Sequence, residues 1–180
     1  MGVRMARAVI SKITDMLYLG NATAASDTNI LSEFGIMRIV SVTDEPAHRP
    51  TPDFCKQYSL TQMLYPIPDK AFWDRNEKLT SIVFPWVKDG AEKNQRVFVH
   101  CRAGVSRSAS FVITYLMWLG LDFDSALIQT FAAHPFAAPS PEVLKTFLQL
   151  IGKNLPLYYP HLCRMRRGQN WFKEYINQNP

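Results

Sequence analysis

The chain has 180 residues, 47% of them hydrophobic, with three cysteines and 20 Lys or Arg against 15 Asp or Glu. That is enough apolar material for one self-sufficient core without disulfides. Cys55, Cys101 and Cys163 form no C-x-x-C pair and no Cys/His group at zinc-ligand spacing, which argues against a structural metal and suits a reducing, intracellular setting in cytoplasm or nucleus. The net charge of +5 is compatible with anionic partners but selects no function.

Along the chain, Asp15 to Leu19 reads as a short strand, and Thr23 to Phe34 as a helix stopped by Gly35. Ile36 to Val42 is a buried strand. Thr43 to Asp53 carries Pro46, Pro50 and Pro52 and reads as a surface loop, with a returning strand over Gln57 to Tyr65. After a loop at Pro66-Ile67-Pro68-Asp69, Leu79, Ile82, Val83 and Trp86 repeat at helical steps, with Pro85 placed to bend or shorten that helix. Arg96 to His100 has the β-branched and aromatic character of a central strand. Ser108 to Leu119 is a buried helix, and the apolar run Ala109 to Leu121 is far shorter than the roughly 20 residues that span a bilayer. Further helices are expected from Asp122 to Ala133 and after Ser140-Pro141, where Ser caps and Pro suits the first turn. Gly2 resembles a myristoylation site, but Ala6 stands where Ser or Thr is preferred, so stable membrane insertion is not expected.

Between the strand ending at His100 and the helix beginning at Ser108 lies H-C-R-A-G-V-S-R-S, residues 100–108. A strand–tight loop–helix of this kind makes an oxyanion cradle. The helix N-terminus offers unpaired N–H groups and the positive end of a dipole, and Gly104 permits unusual dihedrals. Amides of Arg102, Ala103, Gly104, Val105 and Ser106 can then turn inward around one phosphate, and such a site favours a thiolate at Cys101. Arg107 would close the ring with a planar fork of donors, and Ser108 would place a hydroxyl near the sulfur. The competing reading, an inert core cysteine, leaves two arginines beside a neutral thiol without a reason.

These residues match the H-C-x-x-G-x-x-R-[S/T] motif of protein tyrosine phosphatases, and the chain is identified from roughly residue 10 to 152 as resembling the small dual-specificity phosphatases. The resemblance implies an α/β fold with a central, twisted, mixed but mostly parallel sheet flanked by helices. It implies that Cys101 is the nucleophile, Arg107 the phosphate clamp and His100 a residue that orients and tunes the nucleophile. The general acid is expected at Asp69, 32 residues upstream of Cys101, with Asp74 as the competitor. No role is carried onto Ser140, where the family commonly has Asn, and His48, His134 and His161 are read as surface or structural. The expected activity is hydrolysis of phosphotyrosine and phosphoserine or phosphothreonine in proteins, without cofactor, metal or nucleic acid. The alternatives are a phosphoinositide or RNA 5′-phosphatase, or a silent phospho-binding module. Residues 1–152 are expected to form the catalytic domain. Residues 153–180, basic and aromatic, are expected to pack back on it, or else to present an anionic-partner docking surface.

Overall fold

Strands form where β-branched and aromatic residues run together, and helices cover both faces of the sheet they build. The computed structural model describes residues 7–68 and 78–178. Among these, five strands pair in the order β1 (Ile10–Lys12), β2 (Leu17–Asn21), β5 (Arg96–Cys101), β3 (Ile36–Ser41) and β4 (Thr61–Leu64). Only the β1–β2 pair is antiparallel.

The central strand β5 alternates between two cores, as the period of two requires. Val97 and Val99 lie with Leu17, Leu19 and Val40 on the face covered by α4 (Phe84–Glu92), α5 (Arg107–Trp118), α6 (Phe123–Ala133) and α7 (Pro141–Leu150). Phe98 lies with Tyr18 and Ile39 on the opposite face, under α1 (Ala22–Ala25) and α2 (Thr28–Glu33). Buried on both faces, β5 carries Cys101 to the carboxyl edge of the sheet, where ligands bind in parallel α/β folds.

Local chemistry redraws several expected boundaries. The helix expected over Thr23 to Phe34 is two helices. Asn21 caps α1 by accepting from the Ala24 N–H, and Asp27 caps α2 by accepting from those of Asn29 and Ile30, so side chains take the groups a continuous helix would pair internally. The strand expected over Gln57 to Tyr65 is likewise shorter. Thr51 and Pro52 start a helix, α3 (Pro52–Gln57), Ser59 turns the chain at φ 55°, and pairing begins only at Thr61. Before α4, Leu79–Val83 forms a wider π-type turn closed by the Phe84 N–H on the Leu79 carbonyl. Pro85 has no N–H to continue an ordinary ladder, and Ile82 faces solvent instead of the core. β1 carried no periodic signal and is held by its pairing to β2.

After α7 come α8 (Tyr159–Arg167) and α9 (Asn170–Gln178). Their side chains reach the segment that joins α6 to α7. Arg166 donates to the carbonyls of Pro135 and Ala137, Arg167 to that of Ala138, and the Tyr159 hydroxyl and Cys163 thiol to that of Pro139. The guanidinium of Arg166 also lies 3.9 Å from the centre of the Phe131 ring. These two arginines are therefore engaged with the protein, while Arg164 and Lys173 remain exposed. No helix among the described residues is long and apolar enough to cross a membrane.

Candidate active site

Residues 100–108 lie where the alternation and the helix start put them: Cys101 ends β5, residues 102–106 turn, and Arg107 opens α5. The turn is tight enough to require glycine. Gly104 has φ +74°, and a Cβ there would stand 2.8 Å from the backbone of Gly20 at the end of β2.

The Cys101 sulfur is buried and lies 3.1 Å from the Ser108 hydroxyl, in the first turn of α5. Arg107 is 2% exposed, and its Nη1 donates to Thr43 Oγ1 (3.1 Å), Asp44 Oδ1 (3.2 Å), Glu45 Oε2 (3.0 Å) and the Ile67 carbonyl (3.3 Å). Thr43 in turn donates to Glu45. Partial burial alone would push the Glu45 carboxyl up. The bond from Thr43, the charge of Arg107, a further bond from Arg107 and the nearby His48 ring outweigh burial and hold it at about 2. A segment expected to be surface loop thus supplies the partners that orient the buried arginine.

His100 is fully buried, which pulls its pKa down to about 4 and leaves the ring neutral at pH 7. Its contacts fix a tautomer. The Cys101 carbonyl can only accept, so Nδ1 carries the proton toward it (3.3 Å), and Nε2 of the neutral ring accepts from the Ser41 hydroxyl (2.7 Å), whose oxygen also accepts from Gln62 (3.0 Å). His100 therefore acts on Cys101 through its backbone, as a neutral brace, and brings no positive charge to the sulfur.

The outer side of the loop is braced by groups remote in sequence. The Tyr175 hydroxyl donates to the Ala103 carbonyl (2.6 Å), His134 Nε2 to that of Gly104 (2.9 Å), and the Ala138 N–H to that of Val105 (3.0 Å). The Ser140 N–H donates to Ser106 Oγ (2.9 Å), and the Ala22 N–H to the Arg102 carbonyl (3.0 Å). His134 is buried, accepts from Ser11 through Nδ1 (2.8 Å), and is pulled down to about 4 by desolvation.

Cys101, Ser108, Arg107 and His100 are thus brought together around one loop, with the Arg102 side chain exposed at its rim. Asp69 and Asp74 lie outside the described residues, although Ile67, which contacts Arg107, lies only two residues before Asp69. Thr43, Asp44, Glu45, His134 and Tyr175 were not singled out from sequence. For the first three a signal existed, since a buried parallel strand running into Thr-Asp-Glu delivers polar groups to the same carboxyl edge as Cys101. His134 and Tyr175 had none. Among the described residues, no three His, Cys, Asp or Glu side chains gather in a metal-binding group.

The chain spans only a fraction of the curated relatives it matches. Over 137 residues it is 35% identical to the protein-tyrosine-phosphatase MKP1 of Arabidopsis thaliana, covering 72% of this chain and 16% of the relative. Over 110 residues it is 34% identical to dual specificity protein phosphatase 6 of Homo sapiens, covering 59% of this chain and 26% of the relative. The solved structure of DUSP15 superposes with a TM-score of 0.68 at 24% identity, over 89% of this chain and 96% of that one, a likeness of fold. The family model of the dual specificity phosphatase catalytic domain matches residues 17–126, more than half the chain and all of residues 100–108. The chain therefore belongs to the dual specificity phosphatase catalytic-domain family, a family of phosphoric monoester hydrolases.

Proposed function

We propose that this chain hydrolyses phosphotyrosine and phosphoserine or phosphothreonine in proteins through a cysteinyl-phosphate intermediate. The observation that carries the reading is the constellation at the carboxyl edge of β5: a buried thiol, a hydroxyl 3.1 Å from it, and a buried guanidinium, all fixed by one loop at a helix N-terminus. The Cys101 thiolate attacks phosphorus in line while Arg107 and the loop amides take up charge on the equatorial oxygens. Asp69 gives its proton to the departing side-chain oxygen and, now a base, removes one from the water that attacks the cysteinyl phosphate. Ser108 stabilises the sulfur as it leaves. The contact of Ile67 with Arg107 supports Asp69 as the acid, because the chain enters its loop beside the clamp.

The test is hydrolysis of a generic aryl phosphate, then of phosphopeptides alongside phosphoinositides and 5′-triphosphate RNA. Cys101→Ser is expected to abolish turnover in every case, and residual activity near the parent's would refute the cysteine mechanism. Asp69→Asn is expected to lose roughly 10²–10⁴-fold on alkyl phosphates and much less on activated aryl phosphates, whose oxygen leaves without a proton. If Asp74→Asn shows that dependence instead, the acid is Asp74. Turnover confined to phosphoinositides or RNA would overturn the protein-substrate assignment.

A further inference from the structure

We propose that Tyr175, on the C-terminal helix α9, is a positioning residue of the catalytic loop, and that the segment after residue 152 serves to hold that loop in its phosphate-binding conformation. The proposal rests on the phosphate-binding reading above, but on different residues. Tyr175 lies beyond the stretch matched by the family model, which ends at residue 126.

Tyr175 is 5% exposed and fastens three pieces of the molecule at one point. Its hydroxyl donates to the Ala103 carbonyl at 2.6 Å. The side-chain amide of Asn21, the last residue of β2, hydrogen-bonds to the same hydroxyl. Its ring stacks on Phe136, in the segment between α6 and α7, at 4.1 Å and 16° between planes. Val105 and Ala138 complete the buried cluster. Burial pushes the phenol's pKa well above its ordinary value, so it remains a proton donor at any pH the enzyme meets.

What this does to the loop follows from peptide geometry. In a planar trans peptide the carbonyl and the next N–H point in opposite directions. Holding the Ala103 carbonyl outward against Tyr175 therefore turns the Gly104 N–H away from α9. The same argument applies to the two peptides that follow, whose carbonyls are held by His134 and the Ala138 N–H and whose amides belong to Val105 and Ser106. Three consecutive amides are aimed by three outward-held carbonyls, and Tyr175 holds the first. Gly104, at φ +74°, has the backbone freedom to flip if that restraint is lost. The segment carrying His134 and Ala138 is itself held from α8 by Arg166, Arg167, Tyr159 and Cys163. Residues 159–175 thus reach the loop twice, directly through Tyr175 and indirectly through that segment.

The test compares Tyr175→Phe with the parent in the full chain, reading the inhibition constant of inorganic phosphate, kcat/KM for an aryl phosphate, and the melting temperature. The variant keeps the ring and its stack and removes one oxygen. Phosphate affinity and kcat/KM are expected to fall together by roughly 3- to 10-fold, the effect of one ordinary hydrogen bond. The inhibition constant does not depend on the fraction of protein folded, so a lowered melting temperature cannot mimic the effect. An unchanged inhibition constant, with or without a lower melting temperature, would show that the hydroxyl only packs. Amide hydrogen exchange on the parent gives a second reading that needs no variant. With saturating inorganic phosphate the Gly104 and Val105 amides are expected to exchange more slowly than in the free parent, and exchange at both left unchanged by bound phosphate would overturn the proposal. A parent that neither binds phosphate nor turns over an aryl phosphate would refute the phosphate-site reading and this inference together. Normal parent activity with an indifferent Tyr175→Phe would refute this one alone.

Discussion

The two sides of the loop at residues 100–108 are held by different chemistry. On the inner side the fixed element is a charge: Arg107 is tied by Nη1 to two carboxylates, a threonine hydroxyl and the Ile67 carbonyl. On the outer side no charge is used. The Ala103, Gly104 and Val105 carbonyls are held by a phenol, a neutral imidazole and a backbone amide, all buried. The difference follows from what each side meets. On the proposed reading the inner side meets a phosphate, which a cation of fixed orientation suits, and two partly exposed carboxylates supply that orientation at modest desolvation cost. The outer side has only carbonyl dipoles to satisfy, and charges buried there would cost more than they return.

The sharpest way to break the inner side is Arg107→Lys. A lysine keeps the charge but cannot hold Thr43, Asp44 and Glu45 and also present a planar fork to two phosphate oxygens. A loss of roughly 10²–10³-fold in kcat/KM is expected, with folding intact, and steady-state kinetics on an aryl phosphate checks it. A lysine variant within a few-fold of the parent would mean that charge alone suffices and that the fork is not used.

Glu45→Gln tests the orienting carboxylate and is expected to cost roughly tenfold in kcat/KM, the lower range for a charge-assisted hydrogen bond, since Glu45 is partly exposed. Its pH behaviour is as informative as its size. The Glu45 carboxyl is depressed from 4.5 to about 2, so its contribution is complete above about 4.5 and is lost only as pH falls toward 2. The ratio of variant to parent activity is therefore expected to stay flat from pH 5 to 8. A ratio that changes within that range would assign the titration to another group.

The residues of the loop itself were legible in sequence, whereas the groups that hold it on either side, Thr43, Asp44 and Glu45 as much as His134 and Tyr175, were not, for a physical reason. Cys101, Arg107 and Ser108 sit in one uninterrupted segment whose spacing is set by a strand edge and the first turn of a helix, so local sequence carries their geometry. The strands at Ile36 and Arg96 and the helices after Arg107, Asp122 and Pro141 were legible for the same reason, since periodicity and caps are local. His134 and Tyr175 act on the loop from 30 and 72 residues away. A single His after an alanine pair, or a Tyr among other aromatics, carries no sign of its partner. The split of the first helix was written in Asn21 and Asp27, but as side-chain competition for backbone donors, which apolar spacing does not reveal.

The gentlest perturbation separates the two sides by pH. His134 and His100 are held neutral by burial at about 4, against 6.5 for the free ring. Between those values the unfolded chain binds protons that the folded one refuses, so stability rises with pH across the window and is lost as pH falls through it. Each ring is expected to cost about 2 kcal/mol between pH 6.5 and 5, from 1.36 kcal/mol per unit over that interval. Glu45 stays ionised throughout, so the outer brace and the buried His100 weaken before the inner clamp does. His134→Gln should isolate the part due to the brace. Gln offers an N–H donor where His134 Nε2 donates to the Gly104 carbonyl, but it does not titrate. Thermal melts at pH 7.5 and pH 5 are the measurement. The variant is expected to be slightly less stable than the parent at pH 7.5, because the bond from Ser11 is lost, and to fall less on acidification, closing or reversing the gap at pH 5. If the melting temperatures of both chains fall equally between the two pH values, His134 is not the group that refuses the proton.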